Sequence, residues 1–243
     1  MVSKLASVIS ERHHGFVRNR STHSNLLNCY FDIFTQIDSR KSIDVITIDM
    51  NKAFDKVNHS ILLEKLSNLG ISPKFLNLIR SFLSNRKQRV RYGNELSDAA
   101  DIPSVVPQGS VLSPLFFAIF VNDLLCKSFS NSIICYADDI KIWGPPSDSI
   151  GSDIGLLSEW MESNYMSVNT DKCEVIHFGR NNHHRSYFYR NTPIRVVQEF
   201  RDLGVLVDSK LTFRSHSLSA YLKCLRLIHI IFKVFSSRSA GLY

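Results

Sequence analysis

The amino-acid sequence predicts an α+β fold. Short β-branched segments alternate with longer segments whose apolar residues have helical spacing, and some predicted strands are close enough in sequence to form hairpins. This mixture favours an antiparallel sheet packed with helices over a doubly wound parallel sheet. The 243 residues suffice for one large domain, or for a core with one or two small subdomains.

Each predicted strand is a short segment rich in β-branched or alternating apolar residues. The first has the sequence I-D-V-I-T-I and ends just before Asp49. A hairpin with both Asp138 and Asp139 at its tip is predicted where Y-A-D-D, residues 136–139, separates two apolar segments. The other predicted strands are residues 88–92, 99–106, 173–178 and 203–207.

The predicted helices have an apolar face and recognisable ends. Gly70 ends the helix that begins near Ser60, and Pro73 opens the next one. Ser113 and Pro114 begin a strongly apolar helix. The predicted helices are residues 60–69, 73–83, 115–125, 152–165 and 218–235.

The composition is that of a globular protein. Hydrophobic residues make up 44% of the chain and charged residues 21%. Asn122 and Asp123 interrupt the longest apolar stretch, so we expect no membrane as a partner. The five cysteines are scattered and include no C-x-x-C pair. This pattern favours reduced thiols of an intracellular protein over a zinc site or a disulfide framework.

Positive charge is concentrated in two regions. The net charge of +7 comes from residues 170–243, because residues 1–169 hold equal numbers of basic and acidic residues. Within the neutral part, a run without any acidic residue contains six basic ones: Lys74, Arg80, Arg86, Lys87, Arg89 and Arg91. Basic regions on either side of an acidic centre suit the binding of a polyanion. The alternative is that both are solvated charged surfaces.

Asp138 and Asp139 are the most informative residues of the chain. Adjacent carboxylates between apolar flanks repel each other and are costly to ionise. A divalent cation relieves this conflict, and Mg²⁺ binds through one or two carboxylates together with substrate phosphates. The alternative is an exposed turn, since Asp is common in turns.

Asp49 is a candidate third carboxylate, because it follows the first predicted strand. Together with the Asp138–Asp139 pair it would complete a two-metal site, in which one ion activates a 3′-hydroxyl and the other holds the leaving pyrophosphate. The alternative for Asp49 is a surface acid or a helix N-cap.

The segment P-Q-G-S-V-L-S-P, residues 107–114, is a candidate binding element. Gly109 permits close approach of the backbone to a ligand, and Gln108 offers amide groups to a nucleotide. The helix N-terminus that follows favours phosphate. A plain helix-capping loop is the alternative.

These segments resemble the palm motifs of reverse transcriptases, and the match is closest to those of non-LTR (LINE-type) retrotransposons. The resemblance rests on I-T-I-D-M-N-K-A-F-D-K-V-N-H at residues 46–59, P-Q-G-S-V-L-S-P-L-F-F-A-I-F-V-N-D-L at residues 107–124, and Y-A-D-D. Residues 14–22, 166–179 and 200–213 agree in the expected order. The resemblance covers nearly the whole chain, and the ordered set is far more specific than Y-A-D-D alone.

The resemblance implies an RNA-directed DNA polymerase with an RNA template, a DNA primer and dNTPs as partners. It implies two Mg²⁺ ions, with Mn²⁺ as an alternative. Asp49, Asp138 and Asp139 would be the catalytic carboxylates and the metal ligands. Lys172 would lie near the pyrophosphate as a proton donor.

For the nucleotide, the resemblance implies a pocket lined by Gln108 and Gly109. Phe54 would lie under the incoming sugar and exclude a 2′-hydroxyl. An aromatic core residue is the alternative there, and the two roles are compatible. An RNA-directed RNA polymerase is a rival interpretation, against which Phe54 argues.

The implied architecture is a right-hand palm, an antiparallel sheet with helices on one face. Residues 1–41 would be partial fingers, residues 42–199 the palm with a fingers insertion at 70–105, and residues 200–243 the primer grip and the start of the thumb. We expect a fragment of a longer parent protein, from which an endonuclease and parts of the fingers and thumb are missing. A remnant that binds nucleic acid without turnover is the alternative function.

Overall fold

The computed structural model describes residues 8–84, 86–101 and 109–234. The chain forms two compact units that divide between Val196 and Val197. In the part described, the first unit holds the central sheet and five α-helices, and the second holds a hairpin and one α-helix.

The described α-helices follow the predicted ones, with an additional helix near the N-terminus. They are α1 (Thr22–Asp38), α2 (His59–Asn68), α3 (Pro73–Leu83), α4 (Ser113–Leu125), α5 (Asp148–Ser163) and α6 (Arg214–Val234). A capping box of Ser21 and Ser24 begins α1. α5 begins four residues earlier than predicted, because the helix follows directly after Ser147.

The strands range from two to seven residues. They are β1 (Ile43–Asp49), β2 (Lys87–Gln88), β3 (Arg91–Tyr92), β4 (Glu95–Leu96), β5 (Ala100–Asp101), β6 (Ser132–Tyr136), β7 (Asp139–Gly144), β8 (Glu174–Phe178), β9 (Phe188–Tyr189), β10 (Thr192–Pro193), β11 (Arg195–Val196), β12 (Glu199–Asp202) and β13 (Val205–Asp208).

Two predicted strands are wrong in detail and a third is only partly described. The strand predicted at 203–207 begins at Val205, because Leu203 and Gly204 form a tight turn. Residues 88–92 are not one strand, since β2 and β3 are separate two-residue strands with different partners. Both are exposed, and without a buried face nothing extends the pairing. For the predicted strand at 99–106 the structure describes β5, and residues 102–106 lie outside the described residues.

Five strands form the central sheet in the order β11-β8-β1-β7-β6. Neighbouring strands are antiparallel except for β11 with β8. β1 pairs with β7 on one side and with β8 on the other. The register places Asp49 opposite Asp139 and Ile43 opposite Phe178, so the two ends of β1 meet different segments.

One face of the sheet packs against α4 and α5, and α2 and α3 join the same core. Ile46 and Ile48 of β1, with Ile140 and Ile142 of β7, share a buried core with apolar residues of these helices. Nearly all of α4 is buried, which agrees with its apolar composition on every side. The predicted arrangement of an antiparallel sheet packed with helices is therefore observed.

α1 packs against the opposite face, so the expectation of helices on one face alone is corrected. Trp143 follows Ile142 in β7 and so points to the other side of the sheet. Its Nε1 donates a hydrogen bond to Asp32 Oδ2 of α1 at 2.7 Å. Helices thus cover both faces of the sheet at Trp143, whereas Asp139 at the start of β7 is exposed.

A buried polar cluster fixes the end of β1 that is remote from Asp49. The Asp44 carboxylate accepts hydrogen bonds from Asn182 and from the Tyr187 hydroxyl, and His177 Nδ1 lies 2.7 Å from it. Burial raises the pKa of Tyr187 above its ordinary value, and the hydrogen bond to Asp44 adds to this effect. The cluster ties β8 and the segment after it to β1.

The second unit contains a hairpin and a long helix. β12 and β13 are joined by Leu203 and Gly204, whose φ angles of 44° and 94° fit the tight turns of two-residue hairpins. None of the described residues of α6 is buried.

The cysteines divide into buried and exposed ones. Cys29, Cys135 and Cys173 are buried and fill core positions, and Cys126 and Cys224 are exposed. Across the described part of the chain, no helix combines the length and the apolar character needed to span a membrane.

Candidate active site

Asp138 lies in the two-residue turn between β6 and β7. The last pair of this hairpin is Tyr136 with Asp139, so Ala137 and Asp138 form the turn and Asp139 begins β7. Ala137 has a φ of 55°, in the left-handed region that residues other than glycine rarely adopt. The Sγ of Cys135 donates to the carbonyl oxygen of Ala137 at 2.8 Å. The predicted hairpin is confirmed, with Asp138 alone of the two acids in its turn.

Gly15 supports this turn from the N-terminal segment. The His14 N–H donates to the Cys135 carbonyl at 2.8 Å and the Cys135 N–H donates to the Arg12 carbonyl at 2.8 Å, so this segment lies beside β6. A Cβ atom at residue 15 would lie 2.4 Å from the Ala137 nitrogen, a distance at which the turn would have to shift. The turn keeps its position because Gly15 has no side chain.

Asp49, the last residue of β1, lies directly opposite Asp139 in the neighbouring strand. Residues opposite each other in antiparallel strands point to the same face, with Cβ atoms about 4.5–5.5 Å apart. A neighbouring segment holds the backbone here, because Asn169 N–H donates to the Asp49 carbonyl at 2.9 Å and Asn51 N–H donates to the Ser167 carbonyl at 2.8 Å. The fold therefore brings Asp49 next to the acidic turn.

Lys172 faces Asp49 from the 3₁₀ helix Thr170–Lys172. Its Nζ lies 3.4 Å from the Oδ2 of Asp49. The Lys172 side chain is 65% exposed and the Asp49 side chain 23%, so we expect this ion pair to contribute little to stability. An exposed ammonium next to Asp49 can reach an anionic ligand bound there.

Asp138 is the carboxyl of this site whose pKa is perturbed. Partial burial is the main cause that raises the pKa of Asp138 above its usual value, and the negative charge of Asp49 raises it further. A backbone hydrogen bond and the positive charge of Lys172 act in the opposite direction. The charge of Asp49 thus opposes the ionisation of Asp138, which is a condition that a divalent cation relieves.

The residues present fit a hard divalent cation without forming a complete cage. Within the described residues, no group of three His, Cys, Asp or Glu side chains is arranged to hold a metal ion. Mg²⁺ does not require such a group, because it binds one or two carboxylates together with waters and substrate phosphates. The carboxylate oxygens of Asp49 and Asp138 are donors of this kind.

Phe54 lies in the 3₁₀ helix Ala53–Lys56 that follows β1. Its ring stacks on Phe117 of α4 with centroids 4.4 Å apart, and the Phe16 ring meets it edge-on with centroids 6.1 Å apart. Phe117 is fully buried, whereas Phe54 is only partly buried. Phe54 therefore packs on the core, as the alternative interpretation expects, and still leaves part of its ring accessible.

Gly109 lies in the segment that leads into α4. Its φ is 81°, which explains why glycine is favoured at this position, and a Cβ atom there would meet none of the described residues within 4 Å. Gln108 lies outside the described residues. The predicted nucleotide pocket of Gln108 and Gly109 therefore stays a prediction.

Two residues at this site were not predicted from the sequence. Gly15 lies against the turn and Phe16 lies against Phe54, so both join the N-terminal segment to the carboxylates. The signal for Gly15 is an isolated glycine, which can mark a close approach between backbones. Nothing in the local sequence identifies the backbone that it approaches.

Comparison with known protein families matches residues 1–207 to the family described as reverse transcriptase (RNA-dependent DNA polymerase). This match covers more than half of the chain. It contains the three carboxylates, Lys172 and Phe54.

Curated relatives are polymerases of mobile elements. The chain is 31% identical over 193 residues to the RNA-directed DNA polymerase from mobile element jockey of Drosophila funebris, an alignment that covers 71% of this chain and 20% of that protein. It is 26% identical over 226 residues to the probable RNA-directed DNA polymerase from transposon X-element of Drosophila melanogaster, with 88% of this chain and 25% of that protein covered. The chain thus spans about a quarter of the length of these curated relatives, or less.

Telomerases are among the solved structures with a similar fold. A telomerase from Candida tropicalis in complex with the TWJ fragment of telomeric RNA gives a TM-score of 0.63 at 16% identity, and covers 87% of this chain and 35% of that chain. The apo telomerase from Candida tropicalis truncated from the C-terminal domain gives 0.62 at 16% identity, and covers 87% and 43%. At this identity the likeness shows the fold alone, and it confirms the predicted α+β palm.

The family match agrees with the ordered motifs in the sequence and with the palm-like sheet that carries Asp49 and the acidic turn. The chain belongs to the reverse transcriptase (RNA-dependent DNA polymerase) family, as a LINE-type reverse transcriptase domain.

Proposed function

We propose that this chain is the RNA-directed DNA polymerase domain of a longer protein and extends a primer 3′-hydroxyl on an RNA template. The observation that carries the proposal is the pairing of Asp49 with Asp139 beside the turn that holds Asp138. Carboxylates that meet from separate chain segments are what a two-metal nucleotidyl transfer requires.

Asp49 and Asp138 are the proposed main ligands of two Mg²⁺ ions, or of Mn²⁺, and Asp139 is the proposed third carboxylate. When bound, the ions supply the positive charge that lowers the pKa of the attacking hydroxyl and neutralises the leaving pyrophosphate. The protein itself holds the three carboxylates close together, with Asp49 at the end of β1, Asp138 in the turn and Asp139 at the start of β7. The nearby charge of Lys172 favours the ionised form of Asp138.

Lys172 is the proposed proton donor to the pyrophosphate. Its Nζ is 3.4 Å from the Asp49 carboxylate, and most of the side chain is exposed. A protonated amine at this position carries both a proton and a positive charge to the place where negative charge develops on the leaving group.

The proposed nucleotide pocket is formed by Phe54, Gln108 and Gly109. The partly buried ring of Phe54 is fixed from one side by Phe117. A ring held in this way can act as a steric barrier against a ribose 2′-hydroxyl. Gly109, with open space around its Cα, can admit a nucleotide close to the backbone.

The proposed partners are an RNA template, a DNA primer and dNTPs. The related jockey and X-element proteins are named as RNA-directed DNA polymerases, and one telomerase of similar fold was solved with RNA. The basic side chains of the run from Lys74 to Arg91 are exposed where the structure describes them, which suits phosphate contacts.

The division of the chain is part of the proposal. Residues 1–41 are assigned to the fingers, residues 42–199 to the palm with its insertion at 70–105, and residues 200–243 to the primer grip and the start of the thumb. An endonuclease and further parts of the fingers and thumb are assigned to a longer parent protein, in line with the greater length of the curated relatives.

The test is primer extension with Mg²⁺ and dNTPs on a poly-A template, comparing the wild type with Asp138→Asn. We expect the variant to lose about 10²-fold or more, because several kcal/mol of charge stabilisation disappear at about 1.4 kcal/mol per factor of ten. Asp38→Asn, the same substitution at the exposed end of α1, is the matched control and should keep wild-type activity. An Asp138→Asn enzyme with the wild-type rate would end the catalytic assignment.

The same assay tests the alternative of a nucleic-acid-binding remnant without turnover. Retention of labelled template by the wild type, without any Mg²⁺-dependent product, would support the remnant and contradict the polymerase.

A further inference from the structure

A basic cavity lies at the end of the sheet that is remote from Asp138. Its volume is about 620 Å³, and its lining residues are Ile37, Arg40, Lys41, Gly179, Arg180 and Asn181. Three of these residues are cationic, and none of the six is acidic or aromatic. None of them belongs to the candidate active site.

The cavity lies where two backbone segments meet at the start of β1. Gly179 follows β8 and has a φ of 99°. A Cβ atom there would lie 2.9 Å from the Cα of Ser42 and 3.0 Å from the carbonyl oxygen of Lys41. Because glycine has no side chain, the chain can pass this close to Lys41 and place Arg180 beside it.

The side chains of Arg40 and Lys41 are not needed to cap α1. The Arg40 N–H donates to the Ile37 carbonyl at 2.8 Å, and the Lys41 N–H donates to the Gln36 carbonyl at 3.0 Å. This is the Schellman pattern, in which main-chain donors satisfy the last carbonyls of a helix. Arg40 takes the left-handed position of the motif, with a φ of 60°, where glycine is the usual residue.

The cations of the cavity have no acidic partner in the described part of the chain. Other arginines of the same unit pair with carboxylates: Arg185, Arg190 and Arg195. Arg40, Lys41 and Arg180 are exposed and form no ion pair there. Asp38, the acid nearest in sequence, does not line the cavity. The cavity therefore keeps a positive potential that attracts anions.

We infer that this cavity binds phosphate groups of a polynucleotide strand. Guanidinium and ammonium groups are the protein cations that recognise phosphate. The lining offers no aromatic ring on which a base could stack, so the strand backbone is the part recognised. The cavity lies at the start of β1 and Asp49 lies at its end. At about 3.3 Å per residue, the length of this strand separates the two by about 20 Å, so the cavity is a separate site. The ligand class follows from the cavity and not from turnover at Asp138.

The test is binding of a labelled single-stranded RNA, measured by fluorescence anisotropy across a salt series without Mg²⁺ or dNTPs. In the triple variant Arg40→Gln, Lys41→Gln, Arg180→Gln we expect weaker binding. The negative slope of log K against log salt should become shallower by about 2. Each phosphate contact to a single strand contributes about 0.7 to this slope. Asp138→Asn should bind like the wild type, which separates this inference from the polymerase proposal.

Two matched triple variants serve as controls. The first control is the triple variant Arg185→Gln, Arg190→Gln, Arg195→Gln. It loses the same formal charge, but from residues that are already paired, and it should keep most of the wild-type slope. Arg40→Lys, Lys41→Arg, Arg180→Lys keeps the charge of the cavity and should keep the binding. An equal loss of slope in the paired-arginine control would overturn the inference, because net charge alone would then explain the result.

Arg40→Gly separates binding from folding. Glycine suits the left-handed position, so the thermal unfolding midpoint should not fall while the RNA affinity does. Binding of dATP to the protein should be the same in the wild type and the triple Gln variant. Unchanged RNA binding in the triple Gln variant would by itself reject the inference. If that variant also lost dATP binding, the cavity would be assigned to free nucleotides.

Discussion

At the residue scale, the acidic turn combines several features that cost stability. Asp138 is partly buried and lies near Asp49, and both features disfavour its ionised form. Ala137 beside it has a left-handed φ, a conformation that is costly for a residue with a side chain. Strain and opposed charges of this kind persist where the surrounding structure fixes them, as Gly15 and Cys135 do here.

Asp138→Asn should stabilise the metal-free fold at neutral pH. Because the pKa of Asp138 is raised in the folded state, the native protein binds more protons than the unfolded chain, and stability falls as the pH rises through the interval above the ordinary value of 3.8. The asparagine does not titrate, so its advantage should grow as the pH rises through that interval and then stay constant. Urea unfolding at several pH values in EDTA measures this, and a variant less stable than the wild type at pH 7 contradicts it.

Gly15→Ala should displace the acidic turn. The new Cβ atom would meet the Ala137 nitrogen at 2.4 Å, and such overpacking costs about 1–3 kcal/mol. We expect a lower unfolding midpoint, together with a lower rate constant of extension at saturating template. Gly151→Ala in α5, where a Cβ atom meets none of the described residues within 4 Å, is the control. It should raise the midpoint slightly, because alanine favours a helix interior over glycine by about 0.5–1 kcal/mol, and it should leave the rate constant unchanged. Equal behaviour of the two variants would show that the turn does not depend on Gly15.

At the element scale, β1 is the strand that positions the site. It is paired on both edges and buried along most of its length, so Asp49 is held at the end of a rigid element. At its other end the buried Asp44 is bonded to residues that follow β8. A fixed strand lets a side chain keep the geometry that catalysis needs.

Asp44→Ala should destabilise the first unit by about 3 kcal/mol or more, because it leaves buried donors without an acceptor. Urea denaturation followed by circular dichroism measures the loss. Asp38→Ala, an exposed acid on α1, is the comparison and should change the free energy of unfolding by less than about 0.5 kcal/mol. A neutral effect at Asp44 would mean that water satisfies the donors.

The proposed selection of deoxynucleotides over ribonucleotides depends on the Phe54 ring that stacks on Phe117. Phe54→Ala should raise the use of ribonucleotides relative to deoxynucleotides by about tenfold or more, if the ring excludes the 2′-hydroxyl. The measured quantity is the ratio of kcat/KM for rUTP and dUTP on the poly-A template, which partial unfolding leaves unchanged. Phe16→Ala removes the edge-on neighbour and leaves the stack, so it should keep the wild-type ratio. An unchanged ratio in Phe54→Ala would assign this ring to the core alone.

At the scale of the whole molecule, the first unit contains its own core. The central sheet and the buried residues of α2 to α5 lie before Val197. A protein that ends at Val196 should therefore keep cooperative thermal unfolding, with a midpoint within a few degrees of the complete chain. Circular dichroism at increasing temperature measures this. A broad, non-cooperative transition would show that the second unit is required for the fold.

The sequence by itself determined the elements whose signals are local. The β-branched run before Asp49, the proline at the start of α3 and the apolar flanks of the acidic turn each specify a segment through neighbouring residues. The ordered motifs were also sufficient to identify the family, and the family match over residues 1–207 confirms this identification. Residues 88–92 were less predictable, because their exposed residues gain too little from burial to extend a strand.

Only the tertiary structure decided which distant residues meet. The register of β1 against β7 sets Asp49 opposite Asp139, and the packing of the N-terminal segment puts Gly15 against the turn. The cavity that holds Arg40 and Arg180 likewise exists only where β1 and β8 pair. Strand register depends on which faces are buried across the whole sheet, and a shift of one residue would turn every side chain to the other face. Strand register is therefore a property of the assembled core, and it cannot be predicted from a local segment of the sequence.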